Sequence, residues 1–209
     1  TGTYGGRNDD GSTNTGLTAL VGNTTAANGV LEINGATVNY NNRSTAGTEA
    51  YRSTLTVGNT TGGAGAVKLT SGSLNTNMQL ALGWTGTAFG AMTQTGGTST
   101  VGGFIVLGLG TSQGVLNFSG GTLNHNGPLT NGTTPGGIGV MTPPGTAAYN
   151  CNNPSPYGFW IAEGGTGTLN ISGSAALTLA STGSGIVLGQ LATGSGTLNL
   201  LGGNVTTKS

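Results

Sequence analysis

The chain has 209 residues, 44 of them glycine; only 5% are charged, and 5 basic residues balance 5 acidic ones. That neutrality leaves no electrostatic source of attraction to nucleic acid or anionic lipid, and a disordered chain would carry more charge and less aliphatic content. Collagen is excluded because the glycines follow no three-residue period, and no apolar stretch approaches the roughly 20 residues of a membrane-spanning helix.

The sequence opens at Thr1 with no basic segment leading into an apolar one, so an export signal is expected to have been removed or not included. The first motif in chain order is the oxygen-rich run Asn8-Asp9-Asp10-Gly11-Ser12-Thr13-Asn14. Its order departs from the EF-hand calcium loop and no glutamate follows at the right distance. It reads as an Asx-rich turn opening the first coil, and no metal or cofactor is expected.

From Leu20 onward an apolar segment ending in glycine recurs: Leu20-Val21-Gly22, Leu55-Thr56-Val57-Gly58, Leu80-Ala81-Leu82-Gly83, Ile105-Val106-Leu107-Gly108, Ile161-Ala162-Glu163-Gly164 and Ile186-Val187-Leu188-Gly189. The glycines are 36, 25, 25, 56 and 25 residues apart, which is one coil of about 25 residues each, with extra chain in the first and fourth intervals. After each anchor comes an alternating motif, clearest as Gly196-Thr197-Leu198-Asn199-Leu200-Leu201-Gly202-Gly203-Asn204-Val205. Its other copies carry Leu31/Ile33/Val38, Val67/Leu69/Leu74, Leu116/Phe118/Leu123 and Leu169/Ile171, with Met92/Gln94 as a degenerate version.

Alternation at period two predicts short strands, and the glycine-rich breaks predict tight corners. No such strand is stable alone, but stacked coils bury their apolar faces in one central column while backbone hydrogen bonds run from coil to coil. The expectation is a single all-β domain over residues 1–209, a parallel β-helix (β-solenoid) of roughly seven coils with two loop insertions.

The first insertion, about 39–50, holds Asn41, Asn42, Arg43 and Glu49 and reads as a polar surface loop. The second, about 127–157, contains all six prolines (Pro128, Pro135, Pro143, Pro144, Pro154, Pro156) and the sole cysteine, Cys151. Proline removes a ladder donor, so its confinement here implies strands that tolerate none. A long loop on a rigid scaffold is either a contact surface or a tolerated excursion.

The residues for chemistry are sparse. Between Lys68 and Glu163 there is no charged residue, so most of the solenoid cannot supply the paired carboxylates of glycoside cleavage, and no enzymatic activity is expected. His125 lies at a strand edge without a triad pattern and reads as a surface or turn histidine. Cys151 alone makes no internal disulfide, which leaves a buried thiol, a free thiol or an intermolecular bridge. Trp84 follows an anchor glycine and Trp160 precedes one; both are placed at corners, as carbohydrate-stacking candidates or as packing residues, and Tyr4, Tyr40 and Tyr51 are similar candidates. Glycosylation sequons begin at Asn23, Asn42, Asn59, Asn117, Asn131, Asn170 and Asn204, as a chain rich in Asn and Thr generates by chance.

The phrases GTLNISGSAALTL (167–179), GTLNLLGGNV (196–205), GVLNFSGGTLNHN (114–126) and FIVLG (104–108) resemble the autotransporter-associated β-strand repeats of bacterial passenger domains and related Gly/Thr/Asn-rich secreted proteins. The resemblance covers most of residues 15–205 outside the insertions. It implies a right-handed coil, the usual hand of parallel crossovers, and an extracellular setting: adhesin, biofilm component or carrier of other domains. No membrane-barrel pattern follows the repeats.

A structural role is therefore expected. A solenoid end needs a cap, and neither end carries an amphipathic helix. The leading expectation is a secreted or cell-surface subunit whose partners are copies of itself, joined head to tail in a filament. The alternative is a monomeric adhesin segment binding polysaccharide or a surface through its insertions. A carbohydrate-active enzyme is the weakest reading. If the terminal faces pair, deletion of residues 1–14 is expected to abolish assembly.

Overall fold

A computed structural model of the chain describes residues 2–3, 18–40, 54–76, 79–102, 105–125, 129–131, 138–142, 148–151, 159–162, 165–179 and 186–207. These contain no helix. Every strand pairs in parallel with the equivalent strand of a neighbouring coil, and those inside the stack with one on each side, so the molecule is a β-solenoid.

Three walls recur. The first is a seven-stranded sheet of β2 (Thr18–Val21), β5 (Thr54–Val57), β8 (Gln79–Leu82), β11 (Ile105–Leu107), β14 (Leu129–Asn131), β17 (Phe159–Ile161) and β19 (Ile186–Leu188). The second stacks β3 (Asn28–Ile33), β6 (Ala64–Leu69), β9 (Phe89–Gln94), β12 (Gln113–Phe118) and β15 (Ile138–Thr142). The third stacks β1 (Gly2–Thr3), β4 (Thr37–Tyr40), β7 (Ser73–Thr76), β10 (Thr98–Val101), β13 (Thr122–His125) and β16 (Ala148–Cys151). Two long strands, β18 (Thr166–Leu179) and β20 (Ser195–Thr207), run round the corner between the second and third walls and join them into one 13-stranded sheet.

Alternation decides what faces inward. In β6, β9 and β12 every second residue is buried, so Val67, Met92 and Leu116 form one column and Leu69, Gln94 and Phe118 the next. Leu74, Ser99, Leu123 and Leu177 form a column on the third wall, and Leu55, Leu80 and Ile105 one on the first. These columns merge into one apolar core along the solenoid axis. Its polar member Gln94 is satisfied: its amide nitrogen donates to the Gly97 and Thr122 carbonyls at 3.2 and 3.0 Å, and its oxygen accepts from Ser99 Oγ at 2.6 Å.

The corner after the first wall is built from two glycines. Gly22, Gly58, Gly83, Gly108 and Gly189 take φ near +70°, which an ordinary side chain resists. Each then faces a second glycine in a column that is glycine at every rung: Gly29, Gly65, Gly90, Gly114, Gly139, Gly167 and Gly196. A Cβ at Gly90 would overlap both the Gly83 nitrogen and the Val57 carbonyl oxygen. That nitrogen and that oxygen are hydrogen-bonded to each other at 2.8 Å, so the second glycine clears the space for the bond that joins one coil to the next.

Three sequence expectations are corrected. The interval around 127–157 is not one projecting loop: β14, β15 and β16 lie within it and form a rung in register with β11, β12 and β13. All six prolines fall between strands, outside the described residues. The anchor after β17 is Ala162 rather than Gly164: Gln190 N–H bonds to the Ala162 carbonyl as Trp84 N–H bonds to that of Gly58, and Ala162 has φ +65° although buried. Residues 2–3 form β1, a strand of the third wall stacked on β4, ahead of the Asn8–Asn14 run expected to open the first coil. The first insertion falls between β4 and β5, and residues 41–53 lie outside the described residues.

Candidate functional site

The surfaces that differ from the rest of the solenoid are its two ends. At one end β2 and β3 are the outermost strands of the first and second walls, so among the described residues one edge of each has no strand beside it. Val30 on β3 is 61% exposed, and Leu20 on β2 is also exposed. At the other end β19 and β20 are outermost. Leu200 occupies the inward column of Ile33, Leu69, Phe118 and Ile171, all of which are at most 1% exposed, yet it is itself 57% exposed. Leu188, Leu191 and Leu201 are exposed beside it. Leu200 has a rung on one side only; Ile33, in the outermost strand at the opposite end, is buried all the same, so this column is exposed at its β20 end.

The sides of the rod are different. Many outward positions are polar and pair along the axis, with Phe89 on β9 an exposed apolar exception. Asn59 donates to Asn23 at 2.8 Å, Asn75 to Asn39 at 2.7 Å and Asn199 to Asn170 at 2.7 Å. Glu32 and Lys68, stacked on the second wall, form an exposed ion pair at 2.8 Å. The hydrogen bond from Lys68, then its positive charge, holds the Glu32 carboxyl below its ordinary range. The outer face of the first wall is covered within the chain, since Thr56, Ala81 and Val106 on it are buried.

The candidate residues from the sequence are scattered. His125 is not at the surface: it is fully buried on the inward side of β13, because it shares the alternation that buries Leu123. Cys151 pairs in register with His125; its side chain lies outside the described residues. Trp84 sits at the corner after β8, half-buried, as expected. Trp160 is not at a corner but in the middle of β17, stacked between Thr130 and Val187, because the turn begins at Ala162. The two tryptophans lie three rungs apart, on the order of 14 Å along the axis, and form no common platform.

Of the sequon asparagines, Asn23, Asn117 and Asn204 are exposed. Asn59 and Asn170 are engaged in the axial ladders. Asn131 lies in β14 with its side chain outside the described residues, and Asn42 is outside them altogether. So are the Asn8–Asn14 run, Tyr4, Tyr51 and Glu49. Tyr40, at the end of β4, is half-buried and packs against the core. Among the described residues no three His, Cys, Asp or Glu side chains gather as a metal site would require, and no helix is long and apolar enough to cross a membrane.

The residues that sequence reading missed are Leu20, Val30, Leu188, Leu191, Leu200 and Leu201. Leu188 and Leu200 look like the inward positions of any other repeat and are set apart by their place in the last rung, whereas Val30 alternates outward with Glu32. Together they define a β-solenoid with polar sides and open apolar ends. Protein-family models, curated proteins and solved structures were all compared with the chain, and none matches it.

Proposed function

We propose that the chain is a structural subunit, secreted or displayed at a cell surface, that stacks end to end with copies of itself into a filament. The observation that carries this reading is the exposure of Leu200 in a column that is buried at Ile33, Leu69, Phe118 and Ile171. A second copy presents a solenoid rung in matching register that would cover it. Laying β20 of one copy on β3 of the next would put Gly196 over Gly29, Leu198 over Leu31 and Leu200 over Ile33, repeating the columns within the chain. The formal neutrality of the chain adds no long-range repulsion between copies. The contact is heterologous and does not close on itself, which is the geometry of a fibre.

Negative-stain electron microscopy with size-exclusion chromatography, over a range of concentrations and with and without reductant, tests the proposal. Uniform filaments whose width matches one solenoid are expected from the native chain. Leu200→Lys, which sets a charge in the apolar column, is expected to leave folded single rods. Monodisperse rods from the native chain at every concentration would overturn the reading and direct attention to a polysaccharide-binding screen. Loss of filaments under reductant would assign a bridge to Cys151.

A further inference from the structure

We propose, resting on the end-to-end reading above, that β1 competes with an incoming copy for the docking edge and so gates assembly. β4 has two edges. One is paired with β7 and the other with β1. Following the register from rung to rung, Val38, Leu74, Ser99, Leu123, Tyr149, Leu177 and Val205 occupy one column, and Gly2 stacks on Val38 from the other side. When β19 and β20 of one copy dock on β2 and β3 of the next, the second half of β20 arrives at the edge of β4. Val205 then needs the place that Gly2 holds. A strand edge pairs with one partner at a time, so β1 and the incoming strand exclude each other.

The two competitors are unequal. Among the described residues β1 contributes two paired ones, and the one in the inward column is a glycine, with no side chain to bury. Val38 and Tyr40 beneath it remain half-buried, whereas Leu74 one rung further in is fully buried. The incoming segment brings Val205 to that column and continues from a strand that pairs with β18 from Ser195 to Thr207. Displacement of β1 by β20 is therefore favourable, but it adds a step that an open edge would not need. This reverses the expectation that the first residues form part of the contact: their removal should promote assembly.

The test uses three chains: the native one, a variant lacking residues 1–3, and Gly2→Val, which fills the inward column and strengthens the hold of β1. Filament growth is followed by light scattering and checked by electron microscopy. The truncation is expected to shorten the lag at least about fivefold and Gly2→Val to lengthen it by a similar factor, the population change that one weakly held contact produces. Filaments with equal lags in all three would overturn the gate while leaving end-to-end stacking intact. Slower or absent assembly of the truncated chain would show that β1 belongs to the contact, and would also overturn the gate. If none of the three assembles at any concentration, the stacking reading fails and the gate with it.

Discussion

The residues that most constrain this fold are those without side chains. Gly90 has no positive φ, so its role is steric: it leaves room for the Gly83–Val57 hydrogen bond. Gly90→Ala is expected to lower stability by about 1–3 kcal/mol, the usual cost of forcing an extra carbon into a packed site, read from denaturant unfolding. The opposite change is available at Ala162, whose buried backbone is held at φ +65°. Ala162→Gly is expected to raise stability by about 1 kcal/mol, the cost of a left-handed conformation in a residue with a Cβ. The ion pair of Glu32 with Lys68 is a weaker contributor. Glu32 is held below its unfolded pKa, so its share of stability is present above that value and is lost as pH falls through the folded one. Lys68→Met should abolish that acid-side dependence, and salt should weaken the pair in the native chain.

At the scale of the strand, the interior polar pair shows how the stack tolerates an odd rung. Gln94 breaks an apolar column, yet Ser99, Gly97 and Thr122 meet all its hydrogen-bonding groups. Ser99→Ala alone leaves the Gln94 oxygen buried without its donor and is expected to cost about 1–3 kcal/mol. Adding Gln94→Leu should recover part of that loss, a non-additivity that a double-mutant cycle measures. The repeat and the inward columns were legible in the sequence because alternation and glycine spacing are backbone requirements repeated at each rung. The β14–β15–β16 rung was not, since Asn131 takes the register position of Leu107 and its connections carry the prolines, so the anchor pattern degrades while the strand register persists. It kept traces in Leu129 and Gly132, a degenerate anchor, and in Gly139 of the invariant column. β1 left a fainter trace: Tyr4 and Arg7 precede Tyr40 and Arg43 by the same 36 residues that separate Gly2 from Val38. His125 was misread because one polar residue in an alternating strand looks outward until its neighbours fix the phase.

Over the whole molecule, each rung touches only its neighbours, so stability is a sum of local terms. Side chains of the central walls, such as Leu69, Leu82 and Leu107, are fully buried, whereas Leu188 and Leu200 in the last rung are not. Amide hydrogen exchange is expected to be slowest within residues 54–125 and fastest in β19 and β20, and uniform protection along the chain would contradict this. The end surfaces were not legible in any one repeat, because exposure there depends on what lies above and not on which residue is present. The parallel stacking also sets how the rod bears load. Hydrogen bonds between rungs lie along the axis, so tension between the two ends opens them one rung at a time instead of shearing a whole sheet at once. A single molecule stretched in this way should yield at low force in a train of steps. Each step would release about 25 residues, roughly 90 Å of extended chain, and the longer connections around β14–β17 would appear as longer steps in the record.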